Sequence, residues 1–253
     1  MTEQEICDLY TAGLSGIEIG KMCNRHRSDV TRIVKKNGYK VRSYTEARNN
    51  YTGVSINQDA FLNPLEEKSA YYYGLMLGDG SLLKNDRLTI TLKQQDEKLL
   101  FDLSQYVGFG LKVKPKIINN KNYSVFTFTS KTIADRFRAL GFTERKSTKE
   151  VCPDIYKYNV DFWRGLIDAD GSIASGRKNF RLVGSESICK SYAEFCSYLS
   201  NNSNAVNVYK DGRANAYRAD CKRAPGKIVL DALYENSTIH LERKYEQYKE
   251  FWI

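Results

Sequence analysis

An internal duplication constrains this 253-residue chain more than any other feature. Gly74-Leu75-Met76-Leu77-Gly78-Asp79-Gly80-Ser81 returns 91 residues later as Gly165-Leu166-Ile167-Asp168-Ala169-Asp170-Gly171-Ser172. A frame that keeps glycine, leucine, an apolar residue, a small residue and Asp-Gly-Ser in register marks two copies of one structural unit. The patterns after each copy match in order. Strand-like alternation is predicted at 88–92 and 180–183, then helices at 97–107 and 188–199. Further strands are predicted at 111–118 and 124–129 in the first half, and at 206–209 and 216–220 in the second. Second helices follow at 132–140 and 225–234, and each half then reaches Glu-Arg-Lys, at 144–146 and 242–244. The expected fold class is α/β (α+β), with related halves at 61–150 and 151–253.

The duplicated segment is itself helix-like. Gly74 and Gly78, and likewise Gly165 and Ala169, stand four residues apart and share one helix face. Glycine costs a helix about 1 kcal/mol against alanine, so two in one short apolar helix need a packing reason. Small residues let two helix backbones come close. Tyr72, Leu75, Leu77, Trp163, Leu166 and Ile167 read as the surrounding core. Gly80 and Gly171 read as helix-terminating glycines, which puts Asp79 and Asp170 at helix ends. If the helices pack side by side, the two carboxylates meet. Neighbouring carboxylates repel unless a cation lies between them, and hard oxygen ligands select Mg²⁺ or a similar ion. On a basic scaffold that chemistry points to phosphodiester hydrolysis.

The scaffold is basic. The formal net charge is +9, and residues 21–48 hold nine Lys/Arg against Asp29 and Glu46, whereas residues 1–20 hold four acids and no base. A localised basic stripe implies a polyanionic partner, nucleic acid above all. The hydrophobic share of 42% excludes a disordered chain. The six cysteines show no C-x-x-C spacing and there are only two histidines, so zinc is disfavoured and the cysteines read as buried hydrophobes in a reducing compartment. No apolar run reaches membrane-spanning length and no signal-peptide pattern opens the chain. A cytoplasmic or organellar location, without secretion or membrane contact, is expected.

The duplicated frame resembles the signature of the LAGLIDADG homing endonucleases. Residues 163–171 match it at seven of nine positions, departing at Trp163 and Arg164; residues 72–80 match less closely, with Leu77 in place of the first acid and Gly78 in place of alanine. The resemblance covers residues 61–253. It implies two pseudo-symmetric αββαββα halves whose antiparallel saddle sheets lie along the DNA major groove. A ten-residue strand spans about 33 Å, close to one DNA turn of about 34 Å, and the major groove distinguishes every base pair.

The family likeness further implies a metal-dependent enzyme, monomeric because its pseudo-dimer is internal, that cuts both strands of a long pseudo-palindromic site in intron homing and leaves short 3′ overhangs. Mg²⁺ is the implied ion, with Mn²⁺ or Ca²⁺ as substitutes. Asp79 and Asp170 take the place of the catalytic, metal-binding acids, with Gly78 and Ala169 beside them in the metal site. Lys146 and Lys244 resemble the active-site lysines, which stabilise the transition-state phosphate or tune the attacking water. Gln94 resembles the water-positioning residue, and its counterpart is Ser185, so the two sites are expected to differ. Candidate DNA contacts are Lys84, Arg87, Lys93, Lys112, Lys114 and Lys116 in the first half, and Arg177, Lys178, Arg181, Lys210, Arg213, Arg218 and Lys222 in the second.

Residues 1–40 carry three short helical patterns: one over 2–12, a second capped by Ser15, and a third capped by Ser28, with Val30, Ile33 and Val34 facing inward and Asn37-Gly38 ending it. The spacing resembles a resolvase-type helix-turn-helix. That likeness places Arg27, Ser28, Asp29 and Thr31 near bases, and Arg25, Arg32, Lys35 and Lys36 near phosphates. Residues 41–60 read as a basic linker, and Arg42 as a further backbone contact. A non-cleaving DNA-binding regulator, or an intron-splicing maturase with an RNA partner, is the alternative for the same fold. The chain ends lack the Cys/Ser and His-Asn of an intein, so a freestanding or intron-encoded protein is expected.

Overall fold

Each half pairs one helix, buried along its middle, with an antiparallel sheet. The computed structural model describes residues 1–43, 46, 54–144, 149–174, 179–212 and 216–251. They divide into two compact units: residues 1–57 with 108–111, and residues 58–107 with 112–253.

In the first unit, α1 (Glu3–Thr11), α2 (Gly16–Cys23) and α3 (Arg27–Lys36) surround Ile6, Cys7, Tyr10, Ile19, Val30, Ile33 and Val34. Capping boxes open the first two helices, Thr2 with Glu5 and Ser15 with Glu18, each worth about 1 kcal/mol. The third opens differently from expectation. Its N-cap is His26, whose Nδ1 accepts the Ser28 N–H, and Ser28 sits inside the first turn. Beyond the helices, β1 (Ser55–Ile56) pairs with a later strand, Gly108–Phe109, in this unit. The span expected as a linker thus includes an ordered strand; residues 44–45 and 47–53 lie outside the described residues.

In the second unit, the first half runs α4 (Glu67–Asp79), β2 (Gly80–Leu82), β3 (Arg87–Lys93) and α5 (Glu97–Val107). After β4 (Gly108–Phe109), which belongs to the first unit, come β5 (Val113–Ile118), β6 (Lys121–Thr129) and α6 (Lys131–Ala139). The second half repeats the order: α7 (Val160–Asp170), β7 (Gly171–Ala174), β8 (Asn179–Gly184), α8 (Glu186–Ser200), β9 (Val206–Lys210), β10 (Tyr217–Cys221), α9 (Arg223–Tyr234), and a last helix α10 (Glu242–Glu250). Strand order is β2-β3-β6-β5 in one sheet and β7-β8-β10-β9 in the other, the same order under the duplication. Every pairing is antiparallel, so the expected fold class is observed.

Alternation explains the layers. Leu88, Ile90 and Leu92 of β3 and Phe126 and Phe128 of β6 are buried, as are Leu99, Leu100, Leu103 and Val107 of α5. Each such side chain contributes about 1.5–3 kcal/mol when withdrawn from water. Helix α4 is buried on every side from Ser69 to Leu77, which requires protein around its whole circumference. Among the described residues, no helix is long and apolar enough to cross a membrane.

Gly80 and Gly171 end their helices in a way the sequence did not suggest. Both have extended backbones, φ −91° and −81°, not the left-handed conformation of a helix-capping glycine. A strand begins at each directly. Glycine serves there by absence of bulk: a Cβ on Gly80 would lie 2.6 Å from the Met76 carbonyl oxygen, and one on Gly171 2.5 Å from that of Ile167.

Candidate functional site

Helices α4 and α7 meet backbone to backbone. A Cβ on Gly74 would lie 2.1 Å from the Phe162 carbonyl oxygen, and one on Gly165 2.0 Å from that of Tyr71. These are one contact made twice, because Gly74 and Gly165, and likewise Tyr71 and Phe162, stand 91 residues apart. Gly78 and Ala169, also 91 apart, face each other, with the Ala169 Cβ 2.3 Å from a Cβ placed on Gly78. The duplication therefore generates a pseudo-twofold relation between the helices.

That packing brings two carboxylates to one place. Asp79 and Asp170 are the last residues of α4 and α7 and both are exposed. Asp170 Oδ2 lies 2.9 Å from where a Gly78 Cβ would stand. The missing side chain of Gly78 leaves the space into which the opposite helix delivers its carboxylate. Neither helix has a basic residue in its last turn, and each helix C-terminus carries a partial negative charge of its own. The result is a concentrated anionic patch.

The described residues hold no group of three or more His, Cys, Asp or Glu side chains arranged to bind a metal. Two carboxylates alone suit an ion that completes its shell with carbonyl oxygens, water and phosphate, the habit of Mg²⁺, rather than an ion that needs a protein cage. Gly78 and Ala169 precede the two acids at the point of contact.

Lys244, in the first turn of α10, is a buried cation of this region among the described residues. It is 4% exposed, and its Nζ donates to the Gly171 carbonyl. Burial and the neighbouring Arg243 push its pKa down to about 8, while Asp168, Asp170 and Asp79 act to hold it up. Its expected counterpart, Lys146, lies outside the described residues.

Asp168, the first acid of the signature in the second half, was given no role by the sequence, yet it is a fully buried charge with three donors. It has no exposed surface, and it accepts from Tyr71 Oη at 2.6 Å, Tyr234 Oη at 2.6 Å and the Leu241 N–H at 2.7 Å. Burial pushes its pKa up to about 6 against the pull of these three donors. The matching residue in the first half is Leu77. Arg164, a departure from the signature, is a buried strut: Nε donates to the Ile239 carbonyl at 2.8 Å and Nη1 to that of Leu233 at 3.2 Å, and the guanidinium pairs with Glu67 and Asp161. Tyr73 stands at its place in the first half and donates to the Leu140 carbonyl at 2.8 Å. Apart from Asp161, three residues before Arg164 on the same helix, none of these partners lies close in sequence, so no local signal announced them.

Gln94 is exposed at the start of a 3₁₀ turn, Gln94–Asp96, just past β3. Ser185 is buried and caps α8, accepting the Ile188 N–H at 3.1 Å and donating to the Glu150 carbonyl. A serine just before an apolar-periodic run was itself a capping signal.

The candidate DNA contacts fall into distinct groups. Register puts Arg87, Thr89, Thr91 and Lys93 of β3, Lys114 and Lys116 of β5, and Tyr123, Val125 and Thr127 of β6 on the sheet face turned away from the core. In the second half Arg181 and Arg218 share that face with Asp220, 3.4 Å and 3.3 Å from its Oδ1 respectively. Tyr209 donates to the other Asp220 oxygen. Lys84 lies in the β2–β3 turn, Lys112 precedes β5, Lys210 ends β9, and Lys222 stands at the N-cap of α9; all four are exposed. Arg177, Lys178 and Arg213 lie outside the described residues.

In the first unit Arg25, Arg27, Ser28, Arg32, Lys35 and Lys36 are exposed on or beside α3. Thr31 is half-buried and donates to the Arg27 carbonyl at 3.0 Å, Arg32 pairs with Asp29 at 2.8 Å, and Lys36 with Glu3 at 3.3 Å. Arg42 departs from its expected role as a backbone contact. Its guanidinium lies over the Tyr10 ring and donates to the carbonyls of Tyr10, Gly13 and Leu14, a structural use of its charge.

The fold so described is that of the LAGLIDADG homing endonucleases. The chain is similar to I-DmoI in complex with DNA and Ca, with a TM-score of 0.51 and 15% identity over 74% of this chain and 99% of that one. It is similar at a TM-score of 0.50 to the I-LtrWI LAGLIDADG homing endonuclease bound to target DNA, with 12% identity over 74% and 89% of the two chains. I-SmaMI, as its K262A mutant, gives a TM-score of 0.50 and 13% identity over 72% and 89%. At these identities the likeness is one of fold. No family model and no curated protein matches the chain.

Proposed function

We propose that this protein is a site-specific DNA endonuclease of the LAGLIDADG homing type, acting as a monomer on one long pseudo-symmetric site. The observation that carries the reading is the delivery of Asp79 and Asp170, by symmetric glycine-mediated contacts, to one end of the α4–α7 pair. Asp79 and Asp170 would hold a divalent ion such as Mg²⁺, with the Gly78 and Ala169 carbonyls beside them. Such an ion, when bound, lowers the pKa of water and neutralises charge on the transferring phosphate. Lys244 adds a positive charge beside that patch, suited to the pentavalent phosphate. The outward sheet faces would follow the major groove through Arg87, Lys93, Lys114, Lys116, Arg181 and Arg218, and cleavage would leave short 3′ overhangs. The three helices of residues 1–40 would act as a helix-turn-helix, with Arg27 and Ser28 at the leading end of α3. The nuclease fold of the similar proteins supports this reading.

Cleavage of a randomised duplex library in Mg²⁺, with a chelator control, tests it. One enriched long site with staggered ends, lost on chelation, is the expected result. Tight sequence-specific binding without cutting in Mg²⁺ or Mn²⁺ would overturn the nuclease reading in favour of a regulator of the same fold.

A further inference from the structure

We infer that buried Asp168 is a positioning residue: through its bond to the Leu241 N–H it sets α10, and with it Lys244, against the end of the α4–α7 pair. The first half has Leu77 in this place, so the two halves hold their machinery by different means. The catalytic part of this inference rests on the nuclease reading above; the positioning part does not.

Three observations converge. Asp168 lies on α7 two residues before Asp170, so one helix carries both the anchor and the metal-binding acid. Its Oδ2 receives the N–H of Leu241, the N-cap of α10, and Lys244 follows in the first turn of that helix. The same oxygen receives Tyr71 Oη from α4, and Oδ1 receives Tyr234 Oη from α9. One carboxylate therefore ties α4, α7, α9 and α10 together.

Around this anchor the segment leading to α10 is secured at further points. Arg164 binds the Leu233 and Ile239 carbonyls, Glu67 accepts the N–H and hydroxyl of Thr238, and Arg243 pairs with buried Asp96 of the first half at 2.9 Å. Arg164 and Glu67 hold the approach to the helix. Asp168 acts at the N-cap itself, where a change in direction is carried directly to Lys244.

The positioning claim is testable without DNA. Full-length native protein is treated with a small amine-acetylating reagent, and each lysine's modification rate is read by peptide mass spectrometry. Lys244 is expected to react slowly in the wild type, faster in Tyr234→Phe, which removes one of the three donors and keeps the Asp168 charge, and severalfold faster in Asp168→Asn, where loss of a charge that holds the Lys244 pKa up adds to the release of the helix. Tyr73→Phe, which breaks a buried bond in the first half, controls for general loosening and should leave Lys244 at the wild-type rate. Tyr234→Phe also serves if Asp168→Asn does not fold. An unchanged Lys244 rate in the folded Asp168 and Tyr234 variants, or an equal rise in Tyr73→Phe, would overturn the inference. On plasmid bearing the target site, Asp168→Asn should accumulate singly nicked circles, since one strand's cut depends on Lys244. Wild-type rates for both cuts despite faster labelling would overturn the catalytic part. A wild-type protein that cuts nothing would sink the nuclease reading and leave the labelling result intact.

Discussion

Asp168 is charged at neutral pH although no part of it reaches solvent, because three donors converge on its two oxygens. Burial still raises its pKa to about 6 from the ordinary 3.8. A carboxyl whose folded pKa lies above its unfolded value binds its proton more tightly when folded. Its contribution to stability is therefore complete below about pH 4 and is lost as pH rises through about 6. The loss amounts to about 3 kcal/mol, from a shift of about two units. Urea unfolding of the wild type and Asp168→Asn across pH 4–7 checks this: wild-type stability should fall relative to the variant as pH rises. Parallel curves would show that the carboxyl titrates alike in both states. Removal of metal gives a second residue-scale prediction. A divalent ion at 100 times its dissociation constant should stabilise the folded protein by about 2.7 kcal/mol. A Tm rise with Ca²⁺ that disappears in Asp79→Asn and in Asp170→Asn would place the ion between these acids; a rise kept by both variants would place it elsewhere.

The α4–α7 pair is an element defined by what its glycines lack. Gly74→Ala and Gly165→Ala each set a methyl about 2 Å from a backbone carbonyl oxygen of the other helix, where no side-chain rotation relieves the clash. Each should cost about 3 kcal/mol as the helices are forced apart. Gly212→Ala, where nothing lies within 4 Å, should cost within about 0.5 kcal/mol. Midpoints of chemical unfolding decide, and a tolerant Gly74 would contradict close backbone contact. This element was legible in the sequence because the duplication fixed both its copies and the face they share. The long strands and α5 were legible from periodicity for the same local reason. The short strands β2 and β7 were not, since three or four residues directly after a helix show no period. His26, not Ser28, caps the third helix because capping depends on where the first helical turn begins, which periodicity locates only to within a few residues. Asp168, Arg164 and Arg243 escaped because, Asp161 beside Arg164 apart, their partners lie 66 to 147 positions away, and nothing in a local pattern encodes such a pairing.

At the scale of the whole molecule, the net charge of +9 predicts DNA affinity that falls steeply with salt. The two sheet faces should contribute unequally. The first presents Arg87, Lys93, Lys114 and Lys116, whereas Asp220 lies between Arg181 and Arg218 in the second. If Lys114 and Lys116 meet phosphates, each substitution to alanine should reduce the slope of log K against log salt by about 1. An unchanged slope would remove them from the interface.

Under the proposed function, one duplicated helix pair builds one nuclease centre from Asp79 and Asp170. The most direct test is Mg²⁺-dependent cleavage of the mapped site by the wild type, Asp79→Asn and Asp170→Asn, with DNA binding followed in parallel. Both variants should keep wild-type affinity and fold while losing double-strand cleavage, each leaving at most a single nick. Full cleavage by either variant would contradict the account.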